Sequence, residues 1–151
     1  MAAAARPVSS LKKFIHAQET IYPIVVEELA KGEKREHWMW FIFPQLYGLG
    51  RSQMSQLFGI KNLHEAEQYL WHGLLGQRLR DCVTLVMLHQ EMPIGRIFPS
   101  PDDIKFRSCL TLFELVDEPH GIFSTALEVF YGGRRCEETL ALLKQNQQTS
   151  P

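Results

Sequence analysis

Apolar positions recur at helical spacing in separate blocks along the chain. Leu11, Phe14, Ile15, Gln18, Ile21 and Tyr22 share one face behind Ser10, a suitable N-cap. Pro23 interrupts that face, either as a kink or at the first turn of a second segment, residues 24–31. Val25, Val26 and Leu29 continue the apolar face there, and Gly32 closes it. Residues 51–57 predict a short helix. Asn62, with Glu65 three residues on, is a capping pair ahead of the stripe Leu63, Ala66, Tyr69 and Leu70, which ends at His72-Gly73. Residues 74–92 predict the longest helix. Leu75, Leu79, Cys82, Val83, Val86 and Gln90 mark one face of it, and Leu85 and Leu88 make its middle apolar on nearly every side, which predicts a central position. Pro93-Ile94-Gly95 stops it. Ser100-Pro101-Asp102-Asp103 combines a Ser N-cap, a Pro at the first helical position and acids in the first turn, opening a helix to about Val116. Pro119-His120-Gly121 breaks the chain before a helix over Ile122–Tyr131, capped by Gly132-Gly133, and a last one over residues 137–144. Residues 1–9 are expected to form a disordered N-terminus and 145–151 a polar tail, leaving a single helical domain over 10–144.

One stretch departs from this rhythm. His37-Trp38-Met39-Trp40-Phe41-Ile42-Phe43-Pro44-Gln45 holds two of the three tryptophans in an unbroken run of bulky residues, followed by Leu46-Tyr47-Gly48-Leu49-Gly50. Burying one large aromatic is worth roughly 1.5–3 kcal/mol, so the run can anchor a small core. Pro44 lacks an N–H and restrains its predecessor, which ends regular structure near Phe43, and Gly48 and Gly50 supply a turn. The aromatic and β-branched content of the run reads as a strand, whereas its lead-in, Glu33-Lys34-Arg35-Glu36, reads as a helix start; periodicity does not decide over so short a run.

The aromatic run, with the Gly48-Leu49-Gly50 turn and the nearby Ser52 and Ser55, resembles the signature of domain-of-unknown-function family 1810. Tyr69-Leu70 with Leu75-Gly76 and Arg78-Leu79 resembles a second segment of that family, and Asp102 through Ser108, running into Leu110-Thr111-Leu112-Phe113, a third. Gly132-Gly133 and Thr139-Leu140 resemble its C-terminal end, so the likeness spans the chain from about Leu11 to Leu143. His72-Gly73 and Ser108-Cys109 stand where members usually read His-Pro and Ser-Ser. The resemblance implies a single all-α domain and no established activity, and on that footing residues 33–43 are expected to be a helix. Some members are labelled calpastatin-like; calpastatin repeats are disordered and this composition is not, so the label is set aside. The expected fold is therefore all-α, a compact single-domain multihelical assembly of about seven helices.

The length suits one domain with an independent core. Sixteen Lys and Arg against seventeen Asp and Glu leave the chain near neutral, which argues against non-specific nucleic-acid binding. Arg78, Arg80, Arg134 and Arg135 read as solvated helix faces more than as a basic patch. Cys82, Cys109 and Cys136 are sparse, odd in number and without a C-x-x-C, as suits a reducing compartment. No apolar run reaches the length of a membrane span, and the Ala-rich start lacks the apolar core of a secretory signal. A cytoplasmic protein without membrane contact is the expectation.

Candidate chemistry is sparse. The six histidines include no H-E-x-x-H, and His64, His72 and His89 lack matching ligands, so neither a metal nor a cofactor is expected. No G-x-S-x-G, Walker loop or dinucleotide fingerprint is present. Gly48-x-Gly50 before Arg51-Ser52 faintly resembles a phosphate-cradling turn, but a plain turn with Ser52 as cap is the preferred reading. The sharper constellation joins the two main motifs. His37 suits acid–base work, Asp103 would orient it, and Lys105 would hold an anionic group. Trp40 and Tyr47 would offer stacking faces and Gln45 a hydrogen-bonding pair. Each has a plainer role: a bond within the helix start for His37, the helix dipole for Asp102 and Asp103, a solvated side chain for Lys105, core for the tryptophans.

The expected function is a binding module for an unidentified small molecule or peptide, through His37, Trp40, Gln45, Tyr47, Ser52, Asp103 and Lys105. The alternatives are an enzyme using His37 and Asp103 in acid–base chemistry on an anionic substrate, and a protein-interaction domain.

Overall fold

Ten helices are present among the described residues, 6–149 of the computed structural model, in the order α1 (Arg6–Glu19), α2 (Tyr22–Lys31), α3 (Met39–Ile42), α4 (Gln53–Leu57), α5 (Leu63–Leu70), α6 (Leu75–Met87), α7 (Ile94–Ile97), α8 (Asp102–Glu114), α9 (Ile122–Tyr131) and α10 (Glu137–Thr149). The fold is all-α, as expected, with more helices than the seven or so predicted. No strand forms among the described residues; one parallel backbone bridge joins Leu46 to Ile60. Pro23 sits in the first turn of α2 and so divides the first apolar block into two helices. The helix α7 occupies the Pro93-Ile94-Gly95 region, which was expected only to break the chain.

Helix α8 lies at the centre, packed against α5, α7, α9 and α10. Phe106 and every residue from Ser108 to Phe113 are buried on it. The sequence expectation gave the centre to residues 74–92. That helix ends at Met87, and Leu88, counted there as part of an all-round apolar middle, is 69% exposed. His89 Nε2 lies 2.9 Å from the Leu29 carbonyl oxygen, so the chain past α6 is held against the end of α2 instead of extending the helix. An apolar residue at a helix end need not face the core, and the sequence pattern cannot tell such a position from an interior one.

Other caps fall close to expectation. Asn62 Oδ1 accepts the Glu65 N–H at 2.8 Å and Ser52 Oγ the Ser55 N–H at 3.1 Å. Gly32 and Gly132 end α2 and α9 in the left-handed region, at φ 76° and 61°. Ser100 does not cap α8; Pro101 takes that place after a cis peptide bond, and no side chain caps the helix. Helix α1 already begins at Arg6, so Ser10 lies within it, and α10 continues to Thr149. Of the segments expected to be a disordered N-terminus and a polar tail, residues 1–5 and 150–151 lie outside the described residues.

Aromatic residues knit the layers. Phe43 meets Phe106 edge-on at 4.9 Å, Phe98 lies 4.9 Å from Phe106, and Trp38 stands edge-on to Phe98 at 6.4 Å. A second cluster runs from Phe41 through Phe58 and Phe14 to Tyr69 and Phe113. Such edge-on pairs add about 0.5–1.5 kcal/mol each beyond the area they bury.

Candidate functional site

The aromatic run is built differently from the helix expected over residues 33–43. Only Met39–Ile42 is helical. Gly32 closes α2 with its own N–H on the Leu29 carbonyl and the Glu33 N–H on the Glu28 carbonyl, the paired bonds of a Schellman end. The buried Glu28 carboxylate then captures the chain beyond. Its Oε1 accepts the Arg35 N–H at 2.9 Å, the Glu36 N–H at 3.2 Å and the Trp38 indole N–H at 2.9 Å. These donors are thereby used up outside a helix, and the Lys34 N–H goes to the Ile97 carbonyl of α7. Burial opposes ionisation of Glu28; the bonds from Arg35, Trp38 and Glu36, with the Lys34 charge, outweigh it and hold the carboxyl below its ordinary range.

From Trp38 to Leu46 every residue is buried except Trp40, which is half-buried. Its indole rests against Gly50, where a Cβ would lie 3.0 Å from the ring and 2.8 Å from Ser55 Cβ, so the close approach needs a glycine. Trp40 and Lys105 form a wall common to two adjoining clefts. The outer cleft, about 340 Å³, is lined by Lys34, His37, Met39, Trp40, Ser52, Met54, Asp102 and Lys105. The inner one, about 190 Å³, is bounded by Trp40, Gln45, Leu49, Gly50, Pro101, Ile104, Lys105, Ser108 and Glu138.

The charges of this region are organised around Asp102. Lys34 Nζ lies 2.7 Å from Asp102 Oδ2, a nearly buried pair that ties the segment before the tryptophans to the first turn of α8. Lys105 Nζ is 3.5 Å from Asp102 Oδ1 and stands over the Trp40 ring, 5.0 Å from its centroid. The outer cleft therefore holds two cations against one carboxylate. With the shorter contact going to Lys34, Lys105 has the less compensated charge.

Of the seven residues predicted for a site, His37, Trp40, Ser52 and Lys105 line the outer cleft, and Gln45 joins Trp40 and Lys105 in the inner one. Ser52 spends its hydroxyl oxygen as the α4 cap. Asp103 lines neither cleft. Its backbone carbonyl accepts the Tyr131 hydroxyl of α9 at 2.6 Å, while its buried carboxylate Oδ1 has no hydrogen-bond partner among the described residues. The His37–Asp103 pairing expected for acid–base chemistry is not formed; one residue's difference along α8 turns the side chain through roughly 100°. Tyr47 is 51% exposed and also lies outside both clefts. Sequence reasoning missed Lys34 and treated Asp102 only as a first-turn acid. A lysine within a run of exposed-looking charges gives no sign that it pairs with a residue 68 positions away.

Three of the four arginines read as solvated faces have separate side-chain partners. Arg78 bonds Gln18 and lies over Tyr22, Arg80 pairs with Asp117, and Arg135 with Glu114. Arg134 and Arg135 line a separate surface pocket of about 520 Å³ with Arg107, Glu137 and Glu138. Among the described residues no cluster of three or more His, Cys, Asp and Glu side chains has the arrangement of a metal site, and no helix is long and apolar enough to cross a membrane.

Residues 8–143 match the model of a family described as "Protein of unknown function (DUF1810)". The fold is similar to the crystal structure of the conserved hypothetical protein Rv1873 from Mycobacterium tuberculosis, with 48% sequence identity and a TM-score of 0.87 over 89% of this chain and 96% of that one. No curated protein matches the chain.

Proposed function

The chain belongs to the DUF1810 family, and we propose that it is a small-molecule binding protein whose ligand carries an anionic group to the cleft at Trp40 and Lys105. The observation that carries this reading is Lys105. It stands over the half-buried Trp40, shares Asp102 with a closer competitor, and contributes to the walls of both clefts. A cation beside an aromatic wall, partly withdrawn from water, attracts an anion more strongly than one in free solvent. His37 and Ser52 offer further polar contacts at the outer edge. The elements that hold the site come from α3, α4, α8 and the 33–38 segment, all mounted on the core, which suits a preorganised pocket. The acid–base alternative has less support, because Asp103 lines neither cleft.

A thermal-shift panel of monocarboxylates, sugar phosphates and nucleotides tests this. A ligand present at a hundred times its Kd stabilises the fold by about 2.7 kcal/mol. Stabilisation that is lost in Lys105→Ala and kept in Arg134→Ala supports the cleft. Stabilisation by anions that survives Lys105→Ala unchanged places binding elsewhere and refutes it.

A further inference from the structure

We infer that the ligand of the outer cleft is a small phosphate monoester, its phosphate held by Lys105, Ser52 and His37 and its organic part lying against Trp40 and Met54. This rests on the anion reading of Lys105 and names the anion. The polar side chains of the cleft divide unevenly. Its one carboxylate, Asp102, is engaged on both oxygens, by Lys34 at 2.7 Å and by Lys105 at 3.5 Å. Lys34 is withdrawn into that pair, with 7% of its side chain exposed, whereas Lys105 keeps 26%. The Lys105 ammonium carries three N–H donors, and the long contact to Asp102 does not use them all. Ser52 Oγ accepts the Ser55 N–H, which occupies a lone pair and leaves the O–H proton of this exposed residue to donate. The exposed His37 side chain makes no hydrogen bond or ion pair among the described residues, and its imidazole supplies a ring N–H. The side chains of the cleft therefore present three donors to a ligand and no unengaged carboxylate.

The number and placement of these donors select the anion. A carboxylate offers two oxygens in one plane, and a phosphate diester also leaves only two terminal oxygens. A phosphate monoester offers three, arranged around a tetrahedron. Lys105 stands on α8, Ser52 precedes α4 and His37 precedes α3, so the donors come from three separate elements. Three oxygens satisfy them together where two cannot. The rest of the side-chain lining is apolar. Lys105 Nζ is 5.0 Å from the Trp40 centroid, so a phosphate on that ammonium brings its ester substituent beside the ring, with the 40%-exposed Met54 on the same cleft. A site of roughly 150 Å³ admits one benzene ring. The outer cleft, about 340 Å³, has room for a phosphate beside a small organic group.

Calorimetric titration of the full chain with phenyl phosphate, benzoate and inorganic phosphate separates the parts of this assignment. Phenyl phosphate is expected to bind about tenfold more tightly than benzoate, through one further charge-assisted bond. It should also bind more tightly than inorganic phosphate, which lacks the ring. Lys105→Ala should weaken both aromatic anions. His37→Ala, a change at an exposed position, should narrow the gap between them by weakening phenyl phosphate alone. Equal affinity for phenyl phosphate and benzoate, both reduced by Lys105→Ala, overturns the phosphate assignment and leaves the anion cleft standing. A phenyl phosphate preference that Lys105→Ala and His37→Ala both leave unchanged puts the phosphate outside the cleft and overturns the assignment as well. Inorganic phosphate binding as tightly as phenyl phosphate overturns the place given to the organic part at Trp40 and Met54. Failure of all three to bind overturns both readings.

Discussion

Replacing Glu28 by alanine removes one acceptor from three donors at once. Trp38 is fully buried, so its indole N–H would lose the carboxylate without gaining water, a cost of about 1–3 kcal/mol. Arg35 and Glu36 are exposed residues whose N–H groups can turn to solvent. Each would lose the advantage of a charge-assisted bond over a bond to water, about 1 kcal/mol apiece. The expected loss is about 3–5 kcal/mol, a large share of the stability of a domain this size. Urea unfolding at pH 7 measures it as a lower midpoint at unchanged slope. A double-mutant cycle with Trp38→Phe isolates the indole bond and should give a coupling of about 1–2 kcal/mol. A loss below 1 kcal/mol, or zero coupling, would refute the clasp. The pH dependence has a definite sign. The folded carboxyl titrates below its ordinary value of 4.5. Its contribution is therefore complete above that value and fades as the pH falls through the folded value. Glu28→Gln should lose most of this acid sensitivity; a variant as acid-sensitive as the wild type would assign the effect to other groups.

Three further outcomes follow from the packing. At Gly76 a Cβ would lie 1.7 Å from the Leu70 carbonyl oxygen, so Gly76→Ala must push α6 away from α5 and should cost about 3 kcal/mol, read by thermal unfolding; a neutral variant would contradict the packing. Asn62→Ala removes the α5 cap and should cost about 1 kcal/mol, whereas Asn62→Asp should retain most of the stability. Burial pushes the Cys82 thiol up to about 12 and the Cys109 thiol well above its usual range, so peptide mapping after alkylation at pH 8 should find both unmodified until the protein is unfolded; labelling of either at free-thiol rates would contradict that protection.

Legibility in the sequence depended on how local each determinant is. Asn62 with Glu65, Ser52 with Ser55, and the terminal glycines of α2 and α9 act within a few residues, and the structure places those caps as the sequence predicts. The 33–38 segment escaped because what unwinds it is Glu28, a carboxylate of α2 to which the apolar pattern assigns no role. The centre of the fold escaped for a related reason. Thr111 and Ser108 break the apolar run of α8, yet both are buried, with hydroxyls bonded to the carbonyls of Arg107 and Ile104 one turn earlier. A helix whose polar residues satisfy themselves internally looks amphipathic in sequence and behaves as core. For the site, the aromatic run pointed to Trp40, which the structure leaves half-buried on a cleft wall, because an excess of bulky side chains in one place forces some to the edge. It could not distinguish Asp102 from Asp103, which differ only in the helix face they occupy.

The resting place of Lys105 also bears on how binding would respond to salt. Its ammonium lies over Trp40 and within 3.5 Å of Asp102. An anion that recruits it thus performs an exchange, giving up a cation–π contact worth about 0.5–2 kcal/mol. Because Asp102 already screens that charge, the approach of a monoanion should be felt over a shorter range than two bare lysines would produce. Added electrolyte would then weaken association only gently, and discrimination among anions would fall to shape, with long-range attraction contributing little.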